Sequence, residues 1–123
     1  MIKNSGLAQF PPLVATIVEG MQNLKAQNIT VLKLTEIDIA VCDYFVICEG
    51  HSNTQVSAIA GGIEKHVREN LDDKPWHIEG KENSEWVLMD YVHTAVHIFQ
   101  KETREFYDLE ELWNDAETVA VKN

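Results

Sequence analysis

The chain has 123 residues, 45% of them hydrophobic, which suits one domain that buries a single core without disulfides or a structural metal. Twenty Asp and Glu against ten Lys and Arg give a formal net charge of −10 at pH 7. Because phosphate contacts need Lys and Arg, this charge argues against direct DNA or RNA binding as the main activity. It would attract a basic protein partner, although a charge that serves only solubility explains the composition equally well.

The cysteines and the N-terminal sequence bear on the compartment. Cys42 and Cys48 form no Cys-x-x-Cys pair, and they indicate reduced thiols in a cytosolic protein. The first ten residues show neither a long apolar stretch nor a small-residue cleavage site, and no run approaches transmembrane length. We therefore expect a cytoplasmic protein with no membrane contact, and the lack of a targeting segment favours a bacterial cytoplasm.

The first part of the chain predicts a tail, a helix and two strands. Residues 1–10 are interpreted as an N-terminal tail. The helix is expected to begin near Pro12 and to stop near Asn28, because apolar residues recur at helical spacing, namely Leu13, Ile17, Met21 and Leu24. Residues 29–34 and 44–49 are mostly β-branched or apolar and predict two strands joined by a polar connection.

A second helix is predicted after a turn at residues 50–53. Ser52, followed three residues later by Gln55, forms a capping-box pattern. Gly61 and Gly62 lie inside the helix, where each costs roughly 1 kcal/mol relative to Ala, so we expect close packing on the sheet to explain them. The apolar face of the helix is Val56, Ile59, Ala60, Ile63, Val67 and Leu71.

Three strands and a closing helix are predicted next. The strands are residues 76–79, 86–92 and 95–99, and the last two form an antiparallel hairpin with a turn near His93. Residues 102–113 predict a helix with a break near Tyr107-Asp108, and residues 117–123 are interpreted as a C-terminal tail, which leaves a domain of residues 11–116. The order α-β-β-α-β-β-β-α indicates a single α/β (α+β) domain, with a mixed sheet of about five strands and helices mostly on one face.

Metal binding has little support in the sequence. His93 and His97 are four residues apart, which would suit one ion on a helix. On a strand the same spacing spans about 13 Å, so the two side chains cannot share an ion. The other histidines have no ligand pattern around them. We expect no metal and no cofactor.

Catalysis is the weaker of two possible functions. Gly50 and Ser52 after a strand suggest the arrangement in which nucleotidyltransferases hold Mg²⁺ and a nucleotide, and carboxylates are supplied by Asp38, Asp43 and Asp90. A plain helix N-cap explains Ser52 better. Cys48 near His51 could be drawn as a dyad, but a thiol inside an apolar strand usually only packs. We therefore expect that the protein is not an enzyme. The alternative is a degenerate nucleotidyltransferase-like enzyme that binds nucleotide and Mg near Ser52.

The strongest pattern concerns binding and lies in residues 86–91. Strand alternation places Val87, Met89 and Tyr91 on one face, where they form an ordinary core, and puts Trp86, Leu88 and Asp90 on the other. If helices cover only one side of the sheet, this second set is an apolar patch beside a carboxylate, which suits a basic protein partner. A second buried face with Asp90 hydrogen-bonded at its end is the other interpretation.

Three segments resemble one known family. Residues 43–55 (DYFVICEGHSNTQ) are similar to the D-Y-F-V-I-x-x-G-x-S-N-x-Q segment of the ribosomal silencing factor (Iojap) family. Residues 77–99 resemble its E-G…W-V-L-x-D-Y…V-H-x-F pattern, and residues 104–113 resemble its R-x-F-Y-x-L-E-x-L-W ending. The resemblance covers roughly residues 13–116. One departure is Val92-His93, where the family often has Gly-Asp.

The resemblance implies a nucleotidyltransferase-like fold without the catalytic set. It also implies binding to the large ribosomal subunit through a basic β-barrel ribosomal protein at the subunit interface. A factor bound there sterically blocks joining of the small subunit and represses translation under nutrient limitation. A homodimer in the unbound state is compatible with an open apolar face.

The resemblance also assigns roles to individual residues. Trp86 and Leu88 would be apolar anchors, and Asp90 would be a charge partner for Lys or Arg. Lesser partner-binding candidates carried over from the motifs are Tyr91, His97, Tyr107 and Glu110. The alternative for His97, Arg104 and Tyr107 is that they only hold the last helix on the sheet.

Overall fold

A computed structural model describes residues 6–122. A short 3-10 helix, Gly6–Gln9, precedes the regular elements. The longer helices are α1 (Pro12–Asn23) and α2 (Asn53–Leu71), and two short ones follow near the end, α3 (Lys101–Tyr107) and α4 (Leu109–Leu112). The strands are β1 (Gln27–Lys33), β2 (Tyr44–Gly50), β3 (His77–Glu79), β4 (Trp86–Asp90), β5 (Thr94–Gln100) and β6 (Glu117–Ala120).

The strands form one mixed sheet in the order β3-β4-β5-β2-β1-β6. β2 and β5 are parallel, with Tyr44 opposite Thr94 and Gly50 opposite Gln100, and the other neighbours are antiparallel. Because parallel neighbours need a long crossover, α2 lies in the connection between β2 and β5. The predicted α/β class, the mixed sheet and the β4–β5 hairpin are confirmed. The sheet has six strands instead of about five.

The longer helices α1 and α2 cover one face of the sheet and bury the main core. They approach closely, since a Cβ atom built on Gly20 would lie 3.2 Å from Cα of Ile63. The predicted face of α2 is buried except for Leu71, which is 37% exposed. Leu71 is the last residue of α2, where no further core contact is made.

The opposite face of the sheet carries a smaller core. Short helix α4 and the residues after it contribute Leu109, Trp113 and Ala116, which pack on side chains of β1, β2 and β5. The strand side chains buried there include Leu32, Phe45, Ile47 and Phe99. The predicted break near Tyr107-Asp108 is confirmed, because Asp108 takes a left-handed conformation (φ 48°) between the two short helices.

Two predicted boundaries near the N-terminus are wrong. Residues 6–10 are not a tail, because Leu7 and Phe10 are buried in the main core. Helix α1 ends at Asn23 and not at Asn28. The chain leaves the helix with Lys25 in a left-handed conformation (φ 60°), while the backbone N–H of Ala26 donates to the carbonyl of Met21 at 3.0 Å. This Schellman-type ending needs no glycine in the sequence to mark it.

The predicted C-terminal tail at residues 117–123 is also wrong for most of its length. Glu117–Ala120 form β6, which pairs antiparallel with the outer edge of β1. This pairing gives partners to backbone groups of β1 that would otherwise lie at a sheet edge. Residues 1–5 and 123 lie outside the described range.

The glycine pair in α2 has a different explanation from the one expected. A Cβ atom on Gly61 would meet no atom within 4 Å. A Cβ atom on Gly62 would lie 2.4 Å from Cδ1 of Leu24, in the segment after α1, so this glycine does not pack on the sheet. Gly80 is more constrained: its φ is +90°, and a Cβ atom there would lie 2.0 Å from the carbonyl oxygen of Trp86.

These contacts predict opposite effects of two glycine substitutions. Gly61→Ala should raise the free energy of unfolding by about 1 kcal/mol, because alanine favours the helix and meets open space. Gly80→Ala should lower it by more than about 2 kcal/mol, because backbone strain adds to the clash with a backbone carbonyl. Urea unfolding of both variants checks this. A loss of stability in Gly61→Ala would contradict the open space.

Candidate functional site

Strand β4 divides its side chains between the two faces as predicted. Val87 and Met89 are fully buried in the main core, while Trp86, Leu88 and Asp90 are only half-buried on the other face. The next residue, Tyr91, continues the buried side and is 6% exposed. The helices α1 and α2 cover the first set, so the second set is the part of β4 open to a partner.

Strand β3 extends this open surface. His77 pairs with Asp90, and Glu79 pairs with Leu88, so their side chains share the face of their partners. His77 and Glu79 are exposed, and Nε2 of His77 lies 3.0 Å from Oε2 of Glu79. We call Trp86, Leu88, Asp90, His77 and Glu79 the β4 patch. It combines an aromatic ring and an aliphatic side chain with two carboxylates.

Trp86 is held in place by its ring contacts and by one hydrogen bond. Its Nε1–H donates to Nδ1 of His97 at 3.1 Å. Its ring centroid lies 4.8 Å from that of Phe99 and 4.8 Å from that of Tyr107. These contacts fix the orientation of the indole, so the exposed part of the ring is already positioned before any partner binds.

His97 is a neutral, buried part of this arrangement. It is 5% exposed, and its burial lowers the pKa of the imidazole to about 4, although the Glu110 carboxylate acts in the opposite direction. Because Nδ1 accepts the bond from Trp86, the single proton lies on Nε2. That nitrogen has no hydrogen-bond partner within residues 6–122. His97 therefore supports Trp86 from below the surface, and its ring is not available to a partner.

Asp90 shapes the turn after β4. Its Oδ1 accepts a hydrogen bond from the backbone N–H of Val92 at 2.7 Å, and its carbonyl accepts one from Trp76 N–H at 2.7 Å. Val92 has a φ of +78°, which is strained for a β-branched residue and natural for glycine. The Val92-His93 departure thus falls at a position whose backbone favours glycine.

Arg104 fastens the last helices to the sheet. The guanidinium is buried: its Nη1 donates to the carbonyl of Asn28 at 2.8 Å and to Oε1 of Glu49 at 3.1 Å. Its Nε and Nη2 donate to Oε2 of Glu110, and Nη2 also donates to Thr30. A buried charge is tolerated only when it is paired in this way. Arg104 therefore fixes where α3 and α4 lie.

The structure thus separates the predicted site residues. Trp86, Leu88 and Asp90 lie together on one surface, and the exposed ring of Tyr107 lies against Trp86. Tyr91 lies on the opposite face, which corrects its assignment to the binding surface. Burial of Tyr91 raises the pKa of its hydroxyl. His97 is buried beneath Trp86, and Glu110 serves as a carboxylate partner of Arg104.

Sequence reasoning missed two further features of this side of the molecule. Glu49, read only as the end of an apolar strand, is a buried carboxylate beside Arg104. Phe106 is 79% exposed, and its ring centroid lies 5.0 Å from that of Tyr107. Phe106 lies two residues after Arg104 and therefore on the opposite side of the helix. An apolar ring on the side opposite a buried arginine is the signal that would have found Phe106.

The geometry disfavours a nucleotide site at Ser52. Ser52 follows the end of β2, and its Oγ accepts a hydrogen bond from Gln55 N–H at 3.1 Å, as a helix N-cap does. Asp43 and Asp90 lie near Tyr44 and Ala95, at the other end of β2 and β5. Seven strand residues separate the two ends by about 20 Å, so these carboxylates and Ser52 cannot share one Mg²⁺ ion.

Other chemistry finds little support in residues 6–122. Burial raises the pKa of the Cys48 thiol, and the His51 ring contacts Gln27 and not Cys48. In this part of the chain no three His, Cys, Asp or Glu side chains are grouped so that they could hold a metal ion. Within the same range, no helix has the length and apolar character needed to cross a membrane.

Comparison with known proteins places the chain among related sequences. The family model described as "Ribosomal silencing factor during starvation" matches residues 8–123. A ribosomal silencing factor from Halalkalibacterium halodurans is 37% identical over 111 residues, which are 89% of this chain and 92% of that protein. Another, from Bacillus subtilis, is 42% identical over 93 residues, which are 75% of this chain and 76% of that protein.

A solved structure gives the same result for the fold. A crystal structure of a Chromobacterium violaceum protein superposes with a TM-score of 0.77 at 29% identity and covers 83% of each chain. Fold and patch together define a small α/β domain whose sheet has one face that the helices leave partly open. The chain belongs to the ribosomal silencing factor family, as its motifs indicated.

The Arg104 contacts predict a large loss of stability on substitution. Arg104→Met keeps much of the side-chain volume but leaves the buried Glu49 carboxylate without its cation. It should lower the free energy of unfolding by about 3–5 kcal/mol, measured by urea unfolding. Lys33→Met is a matched control, because it removes an ion pair with the exposed Glu117 (3.4 Å) and should cost less than about 1 kcal/mol. Equal losses in the two variants would contradict the assigned role.

His97 predicts a specific dependence of stability on pH. The folded pKa of about 4 is below the ordinary value of 6.5, so the unfolded chain binds the proton more tightly. Neutral His97 makes its full contribution to the free energy of unfolding above pH 6.5. This contribution is lost as the pH falls toward 4, and the free energy of unfolding falls by about 2 kcal/mol between pH 7 and 5. His97→Asn keeps an acceptor for Trp86 but removes this titration. Urea unfolding across that range should show a weaker pH dependence in His97→Asn than in wild type, and an equal pH dependence would contradict this assignment.

Proposed function

We propose that this protein silences ribosomes by binding the large ribosomal subunit with its β4 patch. The partner is a basic β-barrel ribosomal protein at the subunit interface, and the bound factor blocks joining of the small subunit. The observation that carries this proposal is the half-exposed pair Trp86 and Leu88 beside the carboxylates of Asp90 and Glu79, on a face that the helices leave open. An apolar centre with a charged rim is the usual composition of a protein interface.

Charge supports a basic partner. The whole chain carries a formal net charge of −10, and the β4 patch contains two of its carboxylates and no Lys or Arg. Opposite charges speed the encounter of two proteins and reject partners of like charge. The surface of a ribosomal protein that binds rRNA is rich in Lys and Arg, so it suits this patch.

The mechanism needs no chemical step. A rigid domain that occupies the subunit interface excludes the other subunit by its volume, and its effect depends on affinity and concentration alone. The fixed indole of Trp86 suits this task, because a preorganised side chain loses less entropy on binding. The name of the family supports a role in starvation, when fewer active ribosomes are needed.

Asp90 provides the main test. Asp90→Lys should weaken binding to purified large subunits at least about tenfold, because a carboxylate that faces a basic partner is reversed. Asp90→Asn keeps an oxygen that can accept the Val92 N–H bond and should weaken binding less. Co-sedimentation on a sucrose gradient, over a range of protein concentrations, measures both. Wild-type protein should also prevent added small subunits from forming complete ribosomes.

The control makes the same change of charge on another surface. Glu69→Lys alters an exposed carboxylate of α2, on the opposite side of the sheet, and should bind as wild type does. Failure of wild type to migrate with large subunits would refute the proposal. Equal binding by Asp90→Lys and Glu69→Lys would show that the β4 patch is not the contact. Mass measured across a dilution series shows whether free protein forms dimers that compete with binding.

A further inference from the structure

A row of three aromatic rings continues from the β4 patch onto α3. The ring centroids of Trp86 and Tyr107 lie 4.8 Å apart, and those of Tyr107 and Phe106 lie 5.0 Å apart with the planes at 87°. Exposure rises along the row, since Trp86 is half-buried, Tyr107 is 51% exposed and Phe106 is 79% exposed. We call these residues the aromatic row. Rings that form a contiguous exposed apolar surface, unlike a single exposed ring, often mark an interaction site.

The aromatic row is held in position by the buried end of the same helix. Arg104 points into the sheet, and Phe106 follows two residues later, which turns it about 200° around the helix axis and away from the sheet. Asp108 then ends α3 in a left-handed conformation. The outward position of Phe106 is therefore a direct consequence of the buried Arg104 and does not come from a loose segment.

The surroundings of the aromatic row are acidic. Residues 101–112 contain five carboxylates and two cations, and one of these cations, Arg104, is buried in ion pairs. Glu102 lies four residues before Phe106, so the two share one side of α3. The exposed carboxylates are Glu102, Glu105, Asp108 and Glu111. Exposed aromatic faces beside uncompensated carboxylates favour a cation as the ligand.

We propose that the aromatic row, with Phe106 as its outer member, binds arginine side chains of the basic partner. This inference rests on the proposed function and extends that contact surface from β4 onto α3. Arginine fits better than lysine, because its planar guanidinium stacks on an aromatic face while its N–H groups reach neighbouring carboxylates. The ammonium group of lysine is more strongly hydrated and does not stack in this way. The row thus gives the surface a preference among basic partners that charge alone does not give.

A peptide experiment tests the preference without ribosomes. Oligoarginine and oligolysine peptides of equal length are titrated into the full-length protein by calorimetry at one salt concentration. Wild type should bind oligoarginine more tightly than oligolysine, by roughly two- to fivefold for one exposed cation–π contact. Phe106→Leu keeps an apolar side chain but removes the ring, so the preference should fall, whereas Phe106→Trp should keep it. Leu112→Ala removes an exposed apolar side chain outside the aromatic row and is the matched control.

The same variants are then tested with purified large ribosomal subunits. Phe106→Leu should weaken binding by a similar factor, and Leu112→Ala should not. The inference would be overturned if wild type and Phe106→Leu preferred oligoarginine equally. It would also be overturned if wild type showed no preference between the two peptides. Equal binding of wild type and Phe106→Leu to subunits would overturn it too, and in that case the proposed function would still stand. If wild type prefers oligoarginine but does not bind subunits, the aromatic row is an arginine site and the proposed function fails.

Discussion

The hydrogen bonds and ion pairs of the buried Arg104 guanidinium fix the short helices on the less covered face of the sheet, and the arrangement of that face depends on them. The guanidinium joins a carbonyl of β1, a carboxylate of β2 and a carboxylate of α4, and so it links segments that are far apart in the chain. A charge in such a place is costly unless each donor finds an acceptor, which makes the arrangement of its neighbours strict. Because α3 and α4 are too short to be stable alone, their position is set by this network and by the small core beneath them.

The two faces of the sheet consequently have different roles. On one face, α1 and α2 bury a continuous core that includes Val87 and Met89. On the other face, the short helices cover only the centre, so the β3–β4 end stays open. Neutral His97 connects the two regions of this second face, since it is buried with Phe45 and accepts the hydrogen bond from Trp86. The side chains of the main core and those of the proposed binding surface therefore lie on opposite sides of one strand, because alternation along β4 separates them.

Local pattern was enough to predict much of this fold, and non-local pairing explains the rest. The capping role of Ser52, the break at Asp108 and the faces of β4 all follow from residues within one element. Strand β6 was missed because a run of four residues gives little sequence signal, and it forms a strand only by pairing with the distant strand β1. Glu49 was misread because its partner lies 55 residues away in sequence. Tyr91 was assigned to the binding surface through its motif, although its position in the alternation had already placed it in the core.

The ends of the sheet offer little backbone to which another strand could pair. The outermost strands are β3, with three residues, and β6, with four. Such short borders expose few free backbone groups, and their flanking acidic side chains repel a second strand of like charge. Joining another sheet edge to edge, the usual route by which β-rich chains form fibrils, is thereby disfavoured. A chain that carries exposed aromatic rings such as Phe106 benefits from this protection against aggregation.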